Sequence, residues 1–212
     1  DPTKTYTLPK QQISNGVVDA FMHVFEQYLT VPMEARLQDR FAEGILHTLI
    51  ELGPVALQEP ENYDVRANLM FCATMALNGL IAAGVPQDWS THMVGHELTA
   101  LYGIEHASTL AALAPGMLTV LKDRKRAKLL QYGERIWGIT EGSEDERIEK
   151  AIAKTKEFFE TMQLKTNLRD HGLTPDNIPE ILDSLRAHDM VRLGEHQDVT
   201  PEVVRQALEL CF

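Results

Sequence analysis

Apolar side chains recur at three- and four-residue steps along almost the whole chain. In ISNGVVDAFMHVFEQYL, from Ile13 to Leu29, the positions Val17, Phe21, Val24, Phe25 and Tyr28 fall on one helical face. Asn15 and Gly16 ahead of this run and Pro32 behind it read as its boundaries. A second helix is expected from Met33 to about Leu57, broken at Gly53-Pro54. A third is expected from Asp64 to Ala83, closed by Gly84 and Pro86. Its run NLMFCATMALNGLIAA is apolar on nearly every side, the pattern of a buried central helix.

Ser90 is placed to cap the next helix, which should run to Tyr102 with Gly103 just beyond its end. Another opens near His106 and continues through ASTLAALAPGMLTVL. Helical periodicity returns in KRAKLLQYGERIWG, SEDERIEKAIAKTKEFFETM, TPDNIPEILDSLRAH and TPEVVRQALELC. Ser143 with Glu146 has the spacing of a capping box, and Thr174-Pro175 and Thr200-Pro201 pair an N-cap with a proline at the first helical position. Sustained alternation with hairpin turns is missing, so a sheet is not expected. The chain reads as all-α, a bundle of about eight or nine helices.

Composition narrows the function classes. The 212 residues suit one large domain, and a hydrophobic share of 44% supports a substantial core. A net charge of −11 argues against nucleic acid, whose phosphates require clustered Lys and Arg. The one basic stretch, KDRKRAK from Lys122 to Lys128, is interrupted by Asp123 and reads as a solvated helix boundary. Cys72 and Cys211 are far apart and belong to no CxxC unit, which suits a reducing compartment and excludes a cysteine zinc site. No segment is long and apolar enough for a membrane span, so a cytoplasmic protein without membrane or nucleic-acid partners is the expectation.

The chemistry concentrates in STHMVGHELTALYGIEH, which begins at Ser90. It gathers His92, His96 and His106 in a chain with only eight histidines. His92 and His96 stand four residues apart, and a Gly-containing turn can bring His106 back toward them. On the first helix Asp19 and His23 are also four apart and project from one face. A carboxylate and an imidazole beside an apolar face need partners, and a mutual hydrogen bond would suffice. Taken with the second cluster, they offer three or four nitrogens and one oxygen, a set suited to Zn²⁺ or Fe²⁺. Spacing leaves open whether His92 or His96 would be a ligand. HMVGHE departs from the zincin HExxH motif, because Met93 stands where the glutamate belongs and Glu97 falls elsewhere on the helix. His47 reads as structural, and His171, His188 and His196 as surface residues near turns. GxSxG, GxGxxG and Walker loops do not occur, so no nucleophile or phosphate cradle is evident.

The stretches NGVVDAFMHVFEQYLT, ENYDVRANLMFCATMALNGLIAAGVPQDWSTHMVGHELTALYGIEHASTLAALAPGML and KRAKLLQYGERIWGITEG resemble the C-terminal helical domain of the iron-containing (group III) alcohol dehydrogenases, most of all the bacterial NADPH-dependent aldehyde reductase and butanol dehydrogenase branch. The resemblance implies the C-terminal fold of the dehydroquinate synthase-like enzymes. It implies a metal, Fe²⁺ or Zn²⁺, held by Asp19, His23, His92 and His106. His96 would lie near the nicotinamide of NADP(H), or of NAD, and act as a catalytic proton relay. It further implies a small aldehyde or primary alcohol as substrate and a homodimer in the intact enzyme.

The family also carries an N-terminal α/β nucleotide-binding domain that nothing here matches. Residues 1–9 are therefore expected to be the end of an interdomain linker and residues 10–212 the metal-binding helical domain, inactive by itself. Two readings outside the redox class stay open on the residues alone: a non-redox metal-binding helical module, and a metal-dependent hydrolase domain.

Overall fold

The computed structural model describes residues 1–212. Nine α-helices follow a short 3₁₀ turn at Pro2–Thr5: α1 Lys10–Tyr28, α2 Arg36–Gln58, α3 Tyr63–Ala76, α4 Ser90–Tyr102, α5 His106–Leu121, α6 Arg126–Trp137, α7 Glu144–Thr161, α8 Ile178–Ala187 and α9 Pro201–Glu209. Strand pairing is confined to one isolated bridge between Leu193 and Val199.

The core has two parts, and α5 belongs to both. Ala107, Leu110, Ala111, Ala114 and Leu118 face a cluster built from α1, α2, α3, α6 and α7. Ala112, Leu113, Met117 and Leu121 face a second cluster with α4, α8 and α9. α5 is therefore the buried central helix, and its small alanines let neighbours approach from every side. Gly116 marks the tightest approach, since a Cβ there would lie 2.6 Å from the Ala207 carbonyl oxygen of α9. Exclusion of this apolar surface from water dominates the stability of the bundle.

Several boundaries differ from those the sequence suggests, each for a local reason. α1 begins after Pro9 and runs through Asn15 and Gly16; the Asn15 side chain, rather than ending the helix, donates to Glu105 at 2.9 Å. α2 continues through Gly53-Pro54. Gly53 there keeps space for Val17, whose Cγ1 would stand 2.8 Å from an added Cβ, and Pro54 forfeits only one amide donor near the helix end.

α3 stops at Ala76 because Asn78-Gly79 makes a turn: the Asn78 side chain accepts from Leu80 N at 3.0 Å, and Gly79 takes φ 87°. Nor is α3 central, for Phe71 is 66% and Leu77 59% exposed. The Ser143–Glu146 capping box forms, and Gly103 closes α4 at φ 67°, left-handed backbone that favours glycine.

The basic stretch is not solvated throughout. Lys125 and Lys128 are each 4% exposed. Lys128 pairs with Asp39 at 2.9 Å and lies over the Tyr28 ring. Lys125 reaches Asp88 at 3.0 Å, Glu195 at 2.8 Å and the Leu29 carbonyl at 2.6 Å. At the other end of the molecule, Arg66 of α3 ties down the first turn by donating to the Thr5 hydroxyl at 2.8 Å and to the Thr5 carbonyl. No helix is long and apolar enough to cross a membrane.

Candidate metal centre

Three helices bring the predicted residues to one place. Asp19 and His23 project from the middle of α1, His92 and His96 from α4, and His106 opens α5. α4 and α5 approach closely because Gly95, between the two α4 histidines, has no side chain: a Cβ there would lie 2.7 Å from the Thr109 hydroxyl. α5 is drawn onto α1 by Glu105, which accepts from Gln12 and Asn15, each at 2.9 Å. That pair of hydrogen bonds sets the first turn of α5 over Asp19.

Ligand atoms of Asp19, His92 and His106 all lie within 4.8 Å of one another. His106 Nε2 is 3.5 Å from Asp19 Oδ1. His23 borders this group without belonging to it. Its Nδ1 rests on the Asp19 carbonyl oxygen at 2.8 Å and stands 3.4 Å from His92 Nε2. The Asp19 carboxylate lies farther from that nitrogen, at 3.4 Å, so the helix pair is joined chiefly through the backbone. His96 is exposed and stacks on His106, with ring centroids 4.9 Å apart. Of the remaining histidines, His47 bonds the Arg135 carbonyl at 2.9 Å, joining α2 to α6, and His188 and His196 are exposed. His171 is half-buried instead of lying at the surface. Glu97 points away from the cluster and is bonded to Ser184 and His188 near α8.

Two residues at the site were not anticipated. Glu26, buried on α1, accepts from Thr91 N at 2.7 Å and His92 N at 3.1 Å and contacts His92 Nδ1. Its only sequence signal is the i, i+4, i+7 series Asp19, His23, Glu26 on one face. Trp89 packs its ring on both His23 and His92, at 5.7 and 5.0 Å between centroids. It takes φ 62°, a left-handed conformation uncommon outside glycine, and occupies the cap position expected of Ser90. The capping work passes to Asp88, which accepts from Ser90 N at 3.0 Å, and to Glu26.

The electrostatics keep the His92 and His106 imidazoles neutral. Burial, with His23 adding to it, pushes the His92 ring down to about 3. Burial also pushes His106 down to about 4, with His92 and His96 acting in the same sense against the attraction of Asp19. Burial and the neighbouring Asp88 push the Glu26 carboxyl upward, opposed by the Thr91 and His92 amides, which favour its ionised form. Neutral imidazole is the form that binds a metal. Asp19 Oδ1 and His106 Nδ1 are buried without a hydrogen-bond partner. Such orphaned atoms are costly in a purely structural cluster. They fit a borderline divalent cation, which takes imidazole nitrogen and carboxylate oxygen together.

The sequence model described as "Fe-containing alcohol dehydrogenase family, C-terminal" matches residues 13–211. The chain belongs to the iron-containing alcohol dehydrogenase family. It is 61% identical over 209 residues to the NADPH-dependent aldehyde reductase YqhD of Escherichia coli, covering 99% of this chain and 54% of that protein. It is 39% identical over 181 residues to the NADH-dependent butanol dehydrogenase B of Clostridium acetobutylicum, covering 84% of this chain and 46% of the other.

The solved structure of the substrate- and cofactor-free aldehyde reductase superposes with a TM-score of 0.99 at 60% identity, over 100% of this chain and 56% of that one. The NADH-dependent butanol dehydrogenase A of Thermotoga maritima superposes at 0.92 and 30% identity, over 100% and 55%. The chain thus spans about half the length of the family members it matches. Each of these two relatives carries a nicotinamide cofactor in its name, one NADPH and one NADH.

Proposed function

We propose that this chain is the metal-binding catalytic half of an NAD(P)H-dependent alcohol dehydrogenase or aldehyde reductase. The convergence of Asp19, His92 and His106 on one point carries the reading. Asp19, His92 and His106 would hold Fe²⁺ or Zn²⁺, and the family resemblance adds His23, at the border of the group, as the fourth ligand. When bound, the cation supplies Lewis-acid polarisation of a carbonyl oxygen while a nicotinamide cofactor supplies the hydride.

The chain's own residues account for the rest. Asp19 offsets part of the cation's charge among neutral imidazoles. Trp89 walls the His23–His92 side and helps exclude water. His96, exposed and stacked on His106, would hold and pass a proton through a ring nitrogen to the alcohol oxygen. The apolar ring that Trp89 sets against the site would favour uncharged alkyl aldehydes and primary alcohols. NADPH is favoured over NADH by the higher identity to the NADPH-dependent relative. Residues 1–9 would link this half to a dinucleotide-binding domain, and the intact enzyme would be a cytoplasmic homodimer.

The deciding measurement is metal content per chain after loading with Zn²⁺ or Fe²⁺. About one tightly bound ion is expected in the wild-type chain, lost in Asp19→Ala and in His106→Ala. No binding by the wild-type chain would overturn the reading. In a longer protein that joins this chain to a dinucleotide-binding domain, aldehyde-dependent oxidation of NADPH is expected to disappear in His92→Ala.

A further inference from the structure

Glu26 is placed to control His92 completely. It lies on α1 seven residues beyond Asp19 and is 3% exposed, facing the first turn of α4. One of its oxygens accepts from Thr91 N at 2.7 Å, and the other accepts from His92 N at 3.1 Å while contacting Nδ1 of the same residue. A single carboxylate therefore fixes both the backbone and the ring of His92. With Nδ1 engaged, Nε2 is the nitrogen left toward the cluster, and it stands 3.4 Å from His23 Nδ1.

We propose that Glu26 is the positioning residue of the metal centre, holding the His92 ring so that Nε2 presents its lone pair to the cation. This rests on the metal-site reading above and adds a residue to it. A metal-bound imidazole keeps its remaining proton on the other nitrogen and donates it to an oriented acceptor, which fixes the ring and raises its basicity. Glu26 is that acceptor. In its ionised form, and with the His92 proton on Nδ1, its two oxygens accept from three donors, so an amide cannot replace it: Gln would offer one acceptor oxygen and turn its NH₂ against at least one N–H. Asp88, the other buried carboxylate at the start of α4, cannot substitute, because Ser90 N and Lys125 occupy its oxygens.

The test compares Glu26→Gln, Glu26→Ala and Asp88→Asn with the wild-type 212-residue chain. Zn²⁺ affinity is read by chelator competition, Co²⁺ coordination by visible absorption, and fold by the thermal midpoint of the metal-free chain. Glu26→Gln should weaken Zn²⁺ binding by about 10-fold and Glu26→Ala by about 100-fold, the span found for partners of metal-bound histidine. The Co²⁺ bands should shift in both. Asp88→Asn should lower the thermal midpoint yet leave affinity and bands unchanged.

Wild-type affinity and bands in Glu26→Gln would overturn the assignment. Equal weakening in Asp88→Asn would also overturn it, since Glu26 would then be only one support of the helix start. Should Glu26→Ala fail to fold, Glu26→Gln, which conserves volume, decides alone. Absence of binding by the wild-type chain would instead overturn the metal site itself, and this role with it.

Discussion

Two groups of ionisable side chains meet at the first turn of α4, and they are built on opposite rules. In the first, Lys125 is enclosed by Asp88, Glu195 and the Leu29 carbonyl, so that the cation is fully partnered. Burial alone would lower the Lys125 ammonium, but the two carboxylates outweigh it and hold it above its ordinary range. In the second, three imidazoles and a carboxylate face one another with Asp19 Oδ1 and His106 Nδ1 unpartnered. Buried charges that satisfy each other are a brace. Buried polar atoms that do not satisfy each other, brought together from two helices, mark a place where something else completes the set. Residue types alone do not separate these cases; saturation of the polar atoms does.

Removing the cation from the saturated group is the most severe way to test this contrast. Lys125→Met leaves Asp88 and Glu195 as buried carboxylates without a counter-charge, and breaking such a pair costs about 3–5 kcal/mol. Urea denaturation should show that loss in the metal-free chain, with metal affinity retained by the fraction that remains folded. A loss below about 1 kcal/mol, the ceiling for ordinary exposed pairs, would mean the group is no brace.

Gly95→Ala should have an intermediate effect and act on both properties. Its Cβ would stand 2.7 Å from the Thr109 hydroxyl and 3.2 Å from Leu110 Cδ2. Overpacking of this kind costs about 1–3 kcal/mol. Because the added methyl separates α4 from α5, it should also move His92 away from His106 and weaken Zn²⁺ binding, measured by chelator competition. Loss of stability with unchanged Zn²⁺ affinity would show that the spacing of these two helices does not set the site.

Much of this was legible in the sequence. Three- and four-residue periodicity located the helices, and the spacing of Asp19, His23, His92, His96 and His106 singled out residues that the fold brings together from α1, α4 and α5. Both signals are local, since an i, i+4 pair shares a face wherever the helix goes. What escaped depends on crossings between distant segments. Glu26 looks like any helical glutamate until the start of α4 is laid across it. Lys125 reads as solvated because its partners, Asp88 and Glu195, are 37 residues before and 70 residues after it. α3 belongs to a run apolar on nearly every side yet is peripheral, while α5 is central, because burial follows from what surrounds a helix. The early end of α3 was readable in Asn78-Gly79, a turn signal outweighed by the apolar run around it.

The smallest expected change in stability is also the most informative. His106 is half-buried, with its side chain 32% exposed, and contributes one buried nitrogen that nothing satisfies. Truncation to Ala removes some packing, which destabilises, and it removes an unpaired polar atom whose desolvation alone costs about 1–3 kcal/mol. These effects oppose each other, so the metal-free chain should change by less than about 1 kcal/mol in either direction. Zinc should then separate the two proteins. At a free concentration a hundredfold above its dissociation constant, it should stabilise the wild type by about 2.7 kcal/mol and leave His106→Ala where it was. A chain strongly destabilised by His106→Ala without metal, and indifferent to zinc before the substitution, would place this cluster with the Lys125 group, as a second brace at the start of α4.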